Sequence, residues 1–251
     1  MTEYFIHPHA SLGQDVEIGM FSVIETGVVI GDGVKIGHHV VIHEGSRIGT
    51  RVRIDDNSVI GKYPMSARRS KTTTAGRTLE PVVIGDDTII GTGAIVYAGS
   101  LIGQGVLIAD TASVREDVSI GEYTIIGRNA TIENKVSIGA RCKIQTDAYI
   151  CAYSEIGDDC FIAPCVVTSN DNFVGRWKER TRFYKGVTIK NGGRIAVNAT
   201  VLPGRIVKSD GLVAAGTVLT KDVPEGIIVY GNPSRPLRSV PENQLLKNQE
   251  E

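Results

Sequence analysis

Between Ile84 and Thr168 the chain reads IGDDTIIGTGAIVYAGSLIGQGVLIADTASVREDVSIGEYTIIGRNATIENKVSIGARCKIQTDAYICAYSEIGDDCFIAPCVVT. Taken in sixes it aligns on an aliphatic residue: Ile84, Ile90, Val96, Ile102, Ile108, Val114, Ile120 and onward to Ile162, with Thr168 closing the series. Four places after each aliphatic stands a small or β-branched residue, such as Val118, Thr124, Ala130, Cys142 and Cys160. A fixed self-similar period outranks any window-by-window reading. Helical spacing of three and four is absent, so the class is all-β.

Short strands alternate their side chains, so the aliphatic and the small residue two places before it both point inward. Gly121 and Gly139 follow their aliphatics and suit a sharp corner, because glycine tolerates positive φ. Each hexad is then one flat side of a coil, and neighbouring coils pair as parallel strands.

Working outward, the same step runs from Ile6 through Leu12, Ile18 and Ile24 to Ile60. Residues 1–5 are expected to cover the open end, since a bare terminal strand invites pairing with other chains. From Lys62 to Glu80 the pattern lapses into KYPMSARRSKTTTAGRTLE, with Lys62, Arg68, Arg69, Lys71 and Arg77. A loop that long inside a regular coil is either a solvated excursion or functional. A second interruption, Ser169 to Gly186 (SNDNFVGRWKERTRFYKG), holds the chain's single Trp, Trp177, beside Phe173, Phe183 and Tyr184, with Arg176, Lys178, Arg180, Arg182 and Lys185. Aromatics beside cations suit a flat anionic ligand such as a nucleotide, or a neighbouring subunit. Hexads resume at Ile189 and run to Leu219, giving about ten coils and a prism roughly 50 Å long. Ser239, Pro241 and the residues after them read as a brief C-terminal helix. The domain division is a β-helix over 1–237, interrupted by loops 62–80 and 169–186, and a tail over 238–251.

The 251 residues are 41% hydrophobic and 22% charged, with a net charge of −1, which gives no electrostatic case for nucleic acid. No apolar run approaches the ~20 residues that cross a bilayer. The N-terminus MTEYFIHPHAS lacks the regions of a signal peptide, so a cytoplasmic protein is expected, without membrane attachment. Four cysteines show no CxxC spacing, and two occupy inward positions, which favours core filling over disulfide or metal.

Ala215-Gly216-Thr217, Thr220-Lys221-Asp222-Val223-Pro224 and Gly231-Asn232-Pro233-Ser234-Arg235 resemble the C-terminal signature of the hexapeptide-repeat acyltransferases. The resemblance implies a left-handed parallel β-helix with three sides per coil, so that residues 18 apart, such as Cys142 and Cys160, lie above one another, and a homotrimer, with acyl-CoA held between subunits beside the C-terminal coils. Ordinary crossovers are right-handed, so backbone physics alone would not supply that hand. FIHPHA near the start and CKIQTDAYICAYSEIGDDCFIAPCVVTSND are similar to the N-acetyltransferases that act on nucleotide-linked amino sugars for surface polysaccharides. By that resemblance Asn170 sits near the acceptor amine. The Lys62–Glu80 loop resembles the acyltransferases of lipid A synthesis, which leaves the acceptor open.

Related xenobiotic acetyltransferases place a catalytic histidine near Asn170, but all five histidines here fall within the first 43 residues. A hydroxyl acceptor needs a placed base, whereas a neutral amine attacks a thioester without that help, so orientation can carry much of the rate. Asn170 or Asp171 is then expected to hold the amine, and Asp171, Glu155 or Asp147 to take its proton through water. Arg176, Trp177, Lys178 and Arg180 are the expected contacts of a nucleotide-linked amino sugar. Acetyl-CoA is the expected cosubstrate, with Ala215 and Gly216 in its signature and Lys208, Lys221 and Arg235 for its phosphates; no metal is expected. The rival classes are an O-acyltransferase, a non-catalytic trimeric scaffold, and a γ-type carbonic anhydrase using His38 and His43, for which His7 and His9 fit poorly as third ligand.

Overall fold

A computed structural model describes residues 3–65 and 78–249. Alternation sets the local structure. In each hexad two residues form the strand, the first facing outward and the second, the aliphatic, inward, as in Ser137–Ile138, Lys143–Ile144 and Phe161–Ile162. Four residues then turn the corner, and the last of them also points inward, so Val118, Thr124, Ala130, Cys142 and Cys160 are buried. Where that inward residue carries a hydroxyl, the next coil satisfies it: Thr124 Oγ1 donates to the Gly139 carbonyl at 2.8 Å.

Residues 18 apart stack, as Lys143 pairs with Phe161 and Ile144 with Ile162 in parallel register. Among the described residues this builds three sheets of 11, 10 and 12 strands, the faces of a prism. Tyr149–Ile150 lies on the first face, Glu155–Ile156 on the second and Phe161–Ile162 on the third. One apolar column fills the interior from Ile24 to Val229. Each isoleucine in it contributes about 1.5–3 kcal/mol of burial.

The corner glycines act differently from expectation. The residues at positive φ stand three places before each aliphatic, at Asp117 (58°), Asn129 (57°), Asp147 (59°) and Asp159 (57°). Gly121 and Gly139 are there for close approach instead. A Cβ at Gly121 would lie 2.5 Å from the Ala140 nitrogen, and one at Gly139 would lie 2.3 Å from Asp158 Oδ1. That Asp158 oxygen accepts the Ala140 N–H at 2.8 Å, tying one corner to the next.

Both insertions leave the prism at the edge between the first and second faces. Val59 pairs with Val41 below but with Ile95 above, 36 positions on instead of 18, so the first insertion adds 18 residues. Glu155 pairs with Thr188, 33 positions on, so the second adds 15. The two stand five coils apart along the first face, or ~24 Å. Lys62 ends the strand Val59–Lys62, while Arg68, Arg69, Lys71 and Arg77 lie outside the described residues.

The ends also differ from the sequence reading. Phe5–Ile6 already forms the first strand, so these residues begin the coil instead of covering it, and Phe5, Leu12 and Phe21 are exposed. At the other end Ile227–Tyr230 joins the third face, and Arg235–Ser239 folds back antiparallel on it. Ser239 thus ends a strand, and the short tail helix takes the form of two 3-10 turns, Glu242–Gln244 and Leu246–Asn248.

Candidate functional site

The first–second edge gathers most of the expected acceptor residues. Steps of 18 place Ala98, Glu116, Asn134, Ala152 and Asn170 in one column there, following the register of the first face. Asn170 closes the column beneath the second insertion. Its Nδ2 donates to the Ala152 carbonyl at 3.4 Å, and its own carbonyl accepts the Lys185 N–H at 3.2 Å. Oδ1 is thereby turned to serve as an acceptor for another group.

Asp171 shapes the loop. Its carboxylate accepts the Phe173 N–H at 2.8 Å and the Gly175 N–H at 3.0 Å, and lies 3.2 Å from Arg180 Nε. Burial pushes its pKa up, but those N–H groups and Arg180 outweigh burial and hold it below the usual aspartate range. A carboxylate so stabilised is a weak base. Above the turn, Trp177 stacks on Phe183 at 5.1 Å and tilts against Phe173 at 4.9 Å, while remaining 50% exposed. Gly175, Arg176, Trp177, Lys178 and Arg180 line an open depression of about 490 Å³. The loop therefore presents an aromatic surface ringed by cations, suited to a flat anionic group.

The other expected residues divide between edges. Lys221 lies on the first–second edge, two coils above Asn170, and Glu155 begins the second face beside it. Ala215 and Gly216 turn the third–first edge, where Gly216 has φ of 66°. Arg235 is there too, paired with Tyr230. Asp147 occupies the same third–first edge and accepts the Asn129 Nδ2 at 2.6 Å. Within one chain, Asn170 and Gly216 thus face away from each other across the first face. Lys208 follows Ile206–Val207 on the second–third edge and joins neither group. It stands one edge away from Ala215 and Gly216 and one from Lys221.

Sequence reasoning missed a polar cluster on the first–second edge, between the insertions. Arg115 Nε donates to Glu116 Oε2 at 2.9 Å, and Nη2 to Oε1 at 3.2 Å. Its Nη1 reaches Glu133 Oε2 at 3.5 Å, and its guanidinium lies 5.1 Å from the centre of the Tyr97 ring. Burial alone would lower the Arg115 pKa, but bonding to Glu116 and the charge of Glu133 raise it. The Tyr149 pKa is pushed up to about 12, first by burial and then by Glu133. Part of the signal was available: counting down from Asn170 in eighteens meets Ala152, Asn134, Glu116 and Ala98, which puts Glu116 in the column of Asn170.

Histidine chemistry is remote from Asn170. His38 Nδ1 accepts the Met20 N–H at 2.9 Å, His39 stacks on Phe21, and His43 Nδ1 lies 3.2 Å from Glu25. His38 turns the third–first edge and His43 the first–second edge, so the two do not converge on one metal. Among the described residues no group of three or more His, Cys, Asp or Glu is placed to hold a metal ion. Cys142, Cys151 and Cys160 are buried free thiols, and Cys165 is exposed. No helix among the described residues is long and apolar enough to cross a membrane.

Comparison with known proteins fits this architecture. The family model for the bacterial transferase hexapeptide (six repeats) matches residues 9–44, 99–134 and 135–170. The model for the hexapeptide repeat of succinyl-transferase matches 81–109 and 117–152, and together they cover half of the chain. A stretch of 47 residues is 38% identical to dTDP-3-amino-3,6-dideoxy-alpha-D-galactopyranose 3-N-acetyltransferase of Aneurinibacillus thermoaerophilus, covering 19% of this chain and 24% of that protein. A stretch of 104 residues is 29% identical to the bifunctional protein GlmU of Rubrobacter xylanophilus, covering 41% of this chain and 20% of GlmU. The matches thus span less than a quarter of the length of either relative. The solved structure of LpxA, a UDP-N-acetylglucosamine acyltransferase from Bacteroides fragilis, superposes with a TM-score of 0.51 at 20% identity, over 94% of this chain and 73% of LpxA. With the hexad register, the three faces and these matches together, the chain belongs to the hexapeptide-repeat acyltransferase superfamily and has its left-handed parallel β-helix fold.

Proposed function

We propose that this chain is an acyl-CoA-dependent N-acyltransferase that acetylates the amino group of a nucleotide-linked amino sugar. The observation that carries the reading is the company Asn170 keeps. It stands with the aromatic, cationic second insertion on one edge, and the nearest histidine on that edge, His43, is six coils away, or ~29 Å. With no imidazole to deprotonate a hydroxyl, the acceptor is a group that needs orientation more than a base. The Oδ1 of Asn170 accepts an amine N–H and leaves the nitrogen lone pair aimed at the thioester carbonyl. The name of the Aneurinibacillus relative, an N-acetyltransferase of a dTDP-amino sugar, supports the same class.

The working form in this reading is a homotrimer built through the first face. Its outward residues after Phe5 run Val23, Val41, Val59, Ile95, Ser113, Thr131, Tyr149, Val167, Thr200 and Val218, without one charge. The other two faces carry Arg47 and Glu155, or Glu17, Lys35, Arg53 and Lys143, in the same position. A first face turned to a three-fold axis brings the first–second edge of one subunit against the third–first edge of the next. Asn170 and its loop then meet Gly216 and Arg235 of a neighbour, and acetyl-CoA lies between chains. The test is acetyl transfer from acetyl-CoA to UDP- or dTDP-linked amino sugars. Asn170→Ala is expected to lower kcat about 10²-fold with acetyl-CoA affinity unchanged; wild-type kcat in that variant removes Asn170 from the site.

A further inference from the structure

Five coils separate the two insertions along the first–second edge, and sheltered charges stand between them. The floor of that edge carries Arg115, Glu116 and Glu133, with the side chain of Glu116 only 4% exposed and those of Arg115 and Glu133 at 22% and 23%. Sheltering a guanidinium and two carboxylates costs desolvation that their pairing only roughly offsets, so stability does not account for them. Glu116 takes two bonds from Arg115, at 2.9 and 3.2 Å. Glu133 receives a single long one, 3.5 Å from Nη1 to Oε2, and its Oε1 has no hydrogen-bond partner among the described residues. The Tyr149 hydroxyl likewise has no hydrogen-bond partner among the described residues, and Tyr149 is 37% exposed in the outward row of the first face, next to Thr131 and one coil above the level of Glu133. A phenol is protonated across the physiological range, so that hydroxyl is available as a donor.

A carboxylate oxygen, a phenol donor and the half-exposed ring of Tyr149 together match a pyranose: an aliphatic ring face for the aromatic, hydroxyls for the carboxylate and the phenol. Glu133 stands two coils below Ser169, so ~10 Å of edge separates it from the Asn170 level, about the length of one sugar ring with its substituents.

We propose that Glu133 and Tyr149, with Arg115 holding Glu133 in place, form the subsite that selects the acceptor by the hydroxyl groups of its sugar ring. This rests on the amino-sugar reading given above and adds a direction to it: the amine lies at Asn170 and the rest of the sugar extends toward the first insertion. Glu133 and Tyr149 touch substrate in this arrangement, whereas Arg115 is a positioning residue.

The experiment is steady-state kinetics of the purified trimer with acetyl-CoA and two acceptors: a nucleotide-linked amino sugar with its ring hydroxyls, and the matched deoxy analogue. For Glu133→Gln and Tyr149→Phe the acceptor KM should rise about tenfold or more on the hydroxylated sugar, with acetyl-CoA KM within twofold. The preference of wild type for the hydroxylated acceptor should shrink toward unity in both. Arg115→Lys should show the same loss more weakly, since an ammonium holds one carboxylate less firmly than the fork. Unchanged acceptor KM and unchanged preference in Glu133→Gln and Tyr149→Phe overturn the subsite while leaving the amino-sugar reading intact. Loss of activity that instead tracks subunit dissociation by light scattering makes the cluster an interface ion pair and also overturns it. A wild type that acetylates no nucleotide-linked amino sugar overturns both readings at once.

Discussion

Asp171 shows how one side chain fixes a loop. It accepts two backbone N–H groups and faces Arg180, so the turn that carries Trp177 depends on its charge. Because its folded pKa is lowered, its contribution is fully present above the unfolded value of ~3.9 and is lost as the pH falls through the folded value. Emission of the single tryptophan therefore reports the loop directly. Wild type should hold one spectrum from pH 8 to 5 and shift on further acidification. Asp171→Asn should show the acid spectrum already at pH 7 and no transition, since an amide accepts these bonds weakly. A variant with the wild-type profile would show that Asp171 does not hold the turn.

A coil of three short strands tolerates much on its outside and little at its corners. The sequence displays the inward residues plainly, because burial recurs every six positions: the aliphatics from Ile24 to Leu219 and the small residues such as Ala130 and Cys142 are where the hexads put them. The glycines after the aliphatics were visible, but the reason for them was not, since close approach depends on the coil above. Gly121→Ala puts a methyl against the backbone of Ala140 and should lower the melting temperature by several degrees. The same change at Gly216, where a Cβ meets nothing within 4 Å, meets only the strain of its positive φ and should cost less. Equal losses in the two, measured by calorimetry, would argue against close packing between coils at Gly121. Outward residues carry no period, so Glu133 and Arg115 passed unnoticed and Lys208 was grouped with Gly216 and Lys221 although each stands on its own edge. Edge assignment needs a count in eighteens, and each insertion resets that count by a length that only the strand register reveals.

Seen whole, the prism has one face whose outward row after Phe5 carries no charge among the described residues, and the proposed reading puts half of the site on each flank of it. If that face closes a trimer, two kinds of damage become complementary. Subunits with Asn170→Ala lose the acceptor side, and subunits with a bulky residue at Gly216 lose the coenzyme side. Mixed during refolding, the two inactive proteins should regain a substantial fraction of activity, because some pairs of neighbours then contribute two intact halves. Recovery no greater than either parent would place the whole site within one chain. Thr131→Lys, which sets a charge in the middle of the first face, should turn the protein into monomers by light scattering, whereas a lysine at Ser137 on the second face should not.

The spacing of the insertions has a consequence of its own. Every coil between them has the same rise, so the edge from Tyr97 to Asn170 behaves as a graduated scale whose divisions are single rungs of ~4.8 Å. Removal of 18 consecutive residues, from Leu101 to Val118 for instance, deletes one rung while leaving every remaining strand in register with a like partner. Reach along the edge is thus a whole-number property of the chain. If the acceptor lies along this edge as proposed, a chain refitted to a longer or shorter one would gain or lose whole rungs, with no change at either insertion.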